Sequence, residues 1–168
     1  MVYKFRLISD ENENFFRDIE IKSTNNFFEF HQIIQNSVNF DKSQIASFFI
    51  SNSEWEKLEE ITLMDMSDFD ETKIHVMHKT KLDQFIKEVG DKLIYAFDFF
   101  SDRCFYIELM KSSKNDTSKK YPVLINGQGK APKQILVADI NINDFNDIFD
   151  DDLEDDMKFE SLDELGEI

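Results

Sequence analysis

Three residue types are scarce in this chain: its 168 residues include one cysteine, two prolines and four glycines. The single cysteine, Cys104, excludes an intramolecular disulfide and a cysteine-rich zinc site. No apolar run approaches the roughly 18 residues of a transmembrane helix, and the N-terminal segment lacks the apolar core of a secretory signal. We therefore expect a cytoplasmic protein without membrane contact.

Phenylalanine, in contrast, is abundant, with 18 residues, and aromatic residues make up 14% of the chain. A chain this rich in large apolar side chains can form a packed core, which excludes disorder throughout. The formal net charge of −16 is unevenly distributed, because residues 139–168 hold 13 acidic residues and one lysine. We therefore predict two parts, an α+β domain at 1–138 and an acidic amphipathic C-terminal tail at 139–168.

The order of patterned segments predicts an α+β fold with a mixed or antiparallel sheet in a single compact domain. Alternating apolar residues predict a β-hairpin over 2–23. Helical spacing from Phe27 to Asn39 then predicts a helix capped by Thr24 or Asn25. A strand in "QIASFFIS" completes a β-grasp-like β-β-α-β opening.

After this opening, the apolar pattern of the chain is weaker everywhere except in residues 94–109. The segment "KIHVMHK" predicts a strand, and Leu82 to Val89 predict one or two helical turns that end at Gly90. Residues 52–71 have little regular pattern. Residues 121–139 contain both prolines and two of the four glycines, which indicates a turn-rich segment.

The stretch "IYAFDFFSDRCFYIEL", from Ile94 to Leu109, predicts a central aromatic hairpin. Apolar residues occupy both faces of each strand, so both faces should be buried, and "SDR" in the middle should form the turn. A half-buried Asp98 needs a partner, and Arg103 across the turn is the nearest candidate. Turn-stabilising pairs explain Asp98, Asp102 and Arg103 best, and as the alternative we select these three as candidate binding residues.

No motif predicts a catalytic residue, a cofactor or a metal. His75 and His78 are three residues apart and would face opposite sides of a strand. Cys104 lies among aromatic residues, which indicates a packing role. The segment "INGQGKAP" lacks the glycine spacing of a phosphate-binding P-loop, so it indicates an ordinary turn or, alternatively, a backbone nest for an anion.

The acidic tail carries an apolar pattern of its own. Phe145, Ile148, Phe149 and Leu153 follow one another at helical spacing, so a helix here would have an apolar stripe on an acidic surface. Three roles stay open: docking on its own domain, recognition of a protein partner, and solubilisation. We include these four residues among the candidate binding residues.

Several separated segments resemble the plasmid pRiA4b ORF-3-like family. They run from about residue 3 to residue 132 and include "YKFRLIS", "FFEFHQII", "GDKLIYAFDF" and "YPVLINGQGKAP". The resemblance implies a small α+β cytosolic bacterial protein of a family with no established activity, some members of which lie on mobile elements. Phe100, Arg103 and Phe105 replace the glycine, tryptophan and histidine of many members, so no catalytic role follows from the resemblance.

Together these features predict a non-catalytic protein-interaction or adaptor domain with an unknown protein partner, contacted through the acidic tail. One alternative is an auxiliary nucleic-acid-handling protein, suggested by the mobile-element association. The charge of the tail opposes that role. A further alternative is an enzyme that uses Asp98, Asp102 or Glu108 in a pocket.

Overall fold

Eight strands and one α-helix make up the computed structural model, which describes residues 1–65 and 74–136. Residues 1–135 form one compact unit. The elements are β1 (Val2–Ile8), β2 (Phe16–Lys22), α1 (Phe27–Val38), β3 (Ser47–Ser51), β4 (Lys57–Thr62), β5 (His75–Val76), β6 (Lys92–Asp98), β7 (Arg103–Ser113) and β8 (Val123–Gln128). Short 3-10 helices cover Met77–Lys79 and Leu82–Gln84. The α+β fold class is confirmed.

The strands form one mixed sheet in the order β5-β4-β3-β6-β7-β1-β2-β8. All neighbouring strands are antiparallel except β4 and β5, which are parallel. The predicted β-β-α-β opening is present, and the aromatic hairpin β6–β7 lies in the interior of the sheet, between β3 and β1. Both faces of β6 are buried along residues 93–97, as its two-sided apolar pattern predicted.

Helix α1 begins one residue later than the predicted caps allow. Asn26, rather than Thr24 or Asn25, is the N-cap, and its side chain accepts a hydrogen bond from the backbone N–H of Glu29. The Glu29 carboxylate in turn accepts from the backbone N–H of Asn26, which completes a capping box. The helix ends at Asn39, whose left-handed conformation (φ 58°) closes its C-terminus.

The main core lies between α1 and one face of the sheet. Phe30 of α1 stacks on Phe48 of β3 at 5.4 Å between ring centroids, and it also contacts Phe5 of β1. His31 is buried in the same layer, where its Nδ1 lies 2.7 Å from the hydroxyl of Tyr95. The helix therefore covers one face of the sheet, and the opposite face is left for other contacts.

Two strands occur where the sequence indicated irregular structure. Four of the six residues of β4 and five of the six in β8 are exposed, so neither strand shows apolar alternation. Backbone pairing with β3 and β2 determines them instead. The strand predicted in "KIHVMHK" was too long, because β5 has only two residues and His78 lies in the following 3-10 helix.

Candidate interaction surface

The turn between β6 and β7 is held by its own side chains. Asp98 Oδ1 accepts hydrogen bonds from the backbone N–H groups of Phe100 (3.1 Å) and Ser101 (3.2 Å). Asp102 adopts the left-handed conformation, with φ 51°. The predicted turn at 101–103 is thus correct for Ser101 and Asp102, whereas Arg103 already belongs to β7.

Arg103 is buried and ties this turn to two distant parts of the chain. The predicted ion pair with Asp98 is present, with Nη1 3.5 Å from Oδ2. A shorter ion pair joins Nη2 to Oε1 of Glu11, at 2.9 Å. The guanidinium also donates to the carbonyl oxygens of Lys133 and Gln134 and lies 5.0 Å from the ring centroid of Phe97. Nothing in the sequence indicated Glu11, because 92 residues separate it from Arg103.

Two phenylalanines project from this braced turn. Phe100 is fully exposed and Phe99 is 50% exposed. Phe99 was predicted to share the buried face of β6, but the strand ends at Asp98. We call Phe99 and Phe100 the aromatic tip.

Carboxylates lie beside the aromatic tip. The side chain of Asp102 is 83% exposed, and its Oδ1 forms an ion pair with Nζ of Lys57 at 2.8 Å. Glu11 is partly exposed beside Arg103. The acids Asp98, Asp102 and Glu11 therefore outnumber the two cations that contact them, Lys57 and Arg103.

Trp55, from the β3–β4 loop, lies over the sheet face opposite α1. Its ring packs edge-on against Tyr106 at 5.0 Å between centroids, and Nζ of Lys92 lies 5.2 Å from the ring centroid. A cavity of about 130 Å³ lies beside it, lined by Arg6, Ile8, Trp55, Tyr106, Glu108 and Met110.

The charges on this sheet face are paired with one another. Asp18 accepts two hydrogen bonds of 2.8 Å from Arg6 and lies 3.6 Å from Lys4. Burial alone would raise the pKa of Asp18, but the hydrogen bonds and charge of Arg6, with help from Lys4, hold that pKa below its usual value. Lys92 pairs with Glu108 at 3.5 Å. Lys4, Arg6 and Lys92 on this face therefore each have a carboxylate partner.

The thiol of Cys104 is in an environment that keeps it protonated, and the candidate carboxylates do not all line the small cavity beside Trp55. Cys104 is buried, and burial raises the pKa of its thiol despite a hydrogen bond with Tyr106, so the reactive thiolate is disfavoured. Glu108 lines the small cavity, whereas Asp98 and Asp102 are not among its lining residues. Within residues 1–65 and 74–136, no cluster of three or more potential metal ligands occurs.

Two further predictions concern the tail and the membrane. Phe145, Ile148, Phe149 and Leu153 lie outside the described residues, so their role as binding residues stays a prediction. Among the described residues, no helix has the length and apolar character needed to span a bilayer.

Comparisons with known proteins place the chain in a family. The fold is similar to the crystal structure of a protein of unknown function from Methanosarcina mazei Go1, with a TM-score of 0.62 and 19% sequence identity over 75% of this chain and 68% of that chain. No match was found among the curated proteins. The profile described as plasmid pRiA4b ORF-3-like protein matches residues 2–163. This chain therefore belongs to the plasmid pRiA4b ORF-3-like family.

Proposed function

We propose that this protein is a non-catalytic interaction or adaptor domain of the cytoplasm, and that the aromatic tip contacts its protein partner. The observation that carries the proposal is the exposure of Phe100, whose ring is fully in solvent, next to the half-exposed Phe99. Phenylalanine is a large apolar residue, and its burial is worth roughly 1.5–3 kcal/mol. An adjacent exposed pair at a projecting turn therefore supports a contact site.

The bracing of the turn supports the same proposal. Asp98 fixes two backbone N–H groups of the turn, and the ion pairs of Asp102 and Arg103 hold its two sides. A turn that is ordered before binding loses less conformational entropy when it docks, so more of the contact energy appears as affinity. Asp98, Asp102 and Arg103 thus position the phenylalanines rather than forming the main contact themselves.

The partner is a protein with an apolar pocket and a basic rim. The rings need an apolar pocket, and the excess of carboxylates around the aromatic tip favours cationic groups near it. The same carboxylates oppose docking on an anionic lipid surface, where basic residues are favoured. These charges also oppose binding to nucleic acid.

The proposal is tested by affinity capture from a lysate of the cells that produce the protein, with the full chain as bait. The Phe99→Ser/Phe100→Ser variant is compared with the wild type and with Leu124→Ser/Ile125→Ser. Leu124 and Ile125 are a matched control, since they are also adjacent exposed apolar residues, on β8. Any protein retained by the wild type and the control but lost by the tip variant is then purified for direct titration.

A dissociation constant that rises at least about tenfold in the tip variant alone supports the proposal, since one lost aromatic anchor is worth about that much or more. Equal affinity of all three chains for every captured protein contradicts it. Binding of the wild type to vesicles of phosphatidylcholine, with no tip-dependent protein, also contradicts it, because the exposed rings would then serve a lipid surface.

The acidic tail forms a second part of this proposal. Its apolar residues and its 13 acids suit recognition of a basic partner surface. A full-length Phe145→Ser/Phe149→Ser variant in the same assay separates the tail from the aromatic tip. Loss of the partner in this variant assigns recognition to the tail, whereas unchanged binding leaves the aromatic tip as the contact.

A further inference from the structure

A second cavity lies between the C-terminal end of α1 and the segment after β8. Its volume is about 530 Å³, within the range of roughly 300–1,000 Å³ that is typical of small-molecule sites. Three cationic residues, Arg17, Lys130 and Lys133, line it together with apolar residues that include Val38, Phe40 and Pro132. Among the described residues, no acidic side chain lines it.

Arg17 is fixed in place by carbonyl oxygens. Its Nε donates to Ser37 O at 3.1 Å, its Nη1 to Phe16 O and Gln128 O at 2.8 Å each, and its Nη2 to Gly129 O at 3.1 Å. The guanidinium has five N–H donors, so one on Nη2 is left for another acceptor. The carbonyl of Ser37 also belongs to the last turn of α1, so Arg17 offsets the negative end of the helix dipole at this cavity.

The charge of Arg17 has no counter-charge within the described part of the chain. The two other arginines each pair with carboxylates, Arg6 with Asp18 and Arg103 with Glu11 and Asp98. In the described ranges, Lys130 and Lys133 also form no ion pair. Burial lowers the pKa of Arg17, as expected for a partly desolvated cation without an anion beside it.

We propose that this cavity binds a small organic phosphate. Three cationic residues line one cavity of a protein whose net charge is −16, and a phosphate group supplies the missing counter-charge. The volume exceeds that of the anion alone, and Val38, Phe40 and Pro132 provide an apolar wall for the organic part. Neither Phe99 nor Phe100 lines this cavity, so the proposal does not rest on the proposed interaction function, although Lys133 and Gln134 also bond Arg103 through their carbonyl oxygens.

The test is a titration of the full chain, followed by the backbone amide NMR signals of Gly127, Gly129 and Ala131. The probes are phenyl phosphate, inorganic phosphate and benzoate. We expect saturable shifts with phenyl phosphate, weaker binding of inorganic phosphate because it lacks an apolar part, and weaker binding of benzoate because it carries less charge. Added NaCl should weaken all three.

The matched variants are Lys130→Gln/Lys133→Gln and Lys111→Gln/Lys114→Gln, which remove the same charge from exposed positions inside and outside the cavity lining. A loss of affinity for phenyl phosphate of at least about tenfold in the first variant alone supports the site. Three results overturn it: no saturable shift in the wild type at about 10 mM ligand, equal affinity in all three chains, or tighter binding of benzoate than of phenyl phosphate.

Discussion

Arg103 and Glu11 lie 92 residues apart in the sequence, yet Nη2 of Arg103 is 2.9 Å from Oε1 of Glu11. The same guanidinium donates to the carbonyls of Lys133 and Gln134 and pairs with Asp98. One side chain thus joins the β1–β2 turn, the β6–β7 hairpin and the segment after β8. The geometry of the aromatic tip depends on this junction.

We expect Arg103→Ala to lower the free energy of unfolding by about 3 kcal/mol, the order seen when one partner of a buried ion pair is removed. The loss is large because Arg103 is buried and several acceptors lose their donor together. Urea unfolding followed by circular dichroism measures the change. An unchanged midpoint would mean that the ion pairs contribute nothing net.

Two further variants test whether the geometry or the charge of Arg103 matters. Arg103→Lys keeps the charge but loses the planar fork, so we expect it to recover little of the stability. Glu11→Gln removes one partly exposed carboxylate, and its loss should be near 1 kcal/mol. Full recovery by lysine would show that charge alone suffices.

The buried contact between His31 and Tyr95 predicts a pH dependence of stability. Burial lowers the pKa of His31 from 6.5 to about 4, and burial also raises the pKa of Tyr95, so both groups are neutral near pH 7. Between pH 4 and 6.5 the unfolded chain binds a proton at His31 that the folded chain does not. The free energy of unfolding is therefore unaffected by the titration of His31 above pH 6.5. As the pH falls from 6.5 to 4, it decreases by on the order of 3 kcal/mol.

Urea unfolding at several pH values between 4 and 7.5 measures this loss, with His31→Gln as the comparison. Glutamine can still bond the Tyr95 hydroxyl but does not titrate, so its stability profile should be flatter in this range. Parallel profiles for the two chains would assign the pH dependence to other groups.

The loop that places Trp55 predicts a fluorescence change. Asn52 Oδ1 accepts hydrogen bonds from the backbone N–H groups of Glu54 and Glu56, and Trp55 sits between them with φ 63°. Because Trp55 is the only tryptophan, its emission reports this loop alone. We expect Asn52→Ala to shift the emission to the red and to increase quenching by acrylamide.

The control for this loop is Ser53→Ala, whose hydroxyl donates to the neighbouring Glu54 carboxylate and, within the described part of the chain, to no backbone group. Its emission should match that of the wild type. If Asn52→Ala also leaves the emission unchanged, the packing against Tyr106, rather than Asn52, holds the indole in place.

Alanine substitutions at Gly129 and Gly90 can separate the cost of backbone strain from the cost of a steric contact. Both have positive φ, 75° and 97°, so alanine costs each position about 1–2 kcal/mol. A Cβ on Gly129 would lie 2.6 Å from the carbonyl oxygen of Asn14, whereas a Cβ on Gly90 would meet no atom of the described residues within 4 Å. Gly129→Ala should therefore lower the unfolding midpoint in urea more than Gly90→Ala, and equal losses would contradict the close approach.

The parts of the fold that the sequence predicted are those in which apolar periodicity and burial coincide. Leu93, Tyr95 and Phe97 alternate on one face of β6 and are all buried. The pair of Asp98 and Arg103 could be predicted too, because both residues flank one short turn. In both cases the prediction needed only residues that are close together in the sequence.

The parts that were missed depend on contacts between distant segments. Strands β4 and β8 are mostly exposed, so backbone pairing defines them and no apolar pattern marks them. Glu11 reaches Arg103 only through the packing of β1 beside β7. The exposure of Phe100 depended on where β6 ends, and a shift of one residue changes which side of a strand a residue faces.

The strand order also has a consequence for the time course of folding. Strand β1 lies between β2 and β7 in the sheet, and its ladder with β7 pairs Val2 with Ser113. During synthesis the N-terminal hairpin can form early, but its second ladder must wait until residue 113 has left the ribosome. A sheet that joins its earliest and late strands in this way closes a long loop, which slows folding and leaves an unpaired, apolar strand edge open to aggregation until β7 arrives.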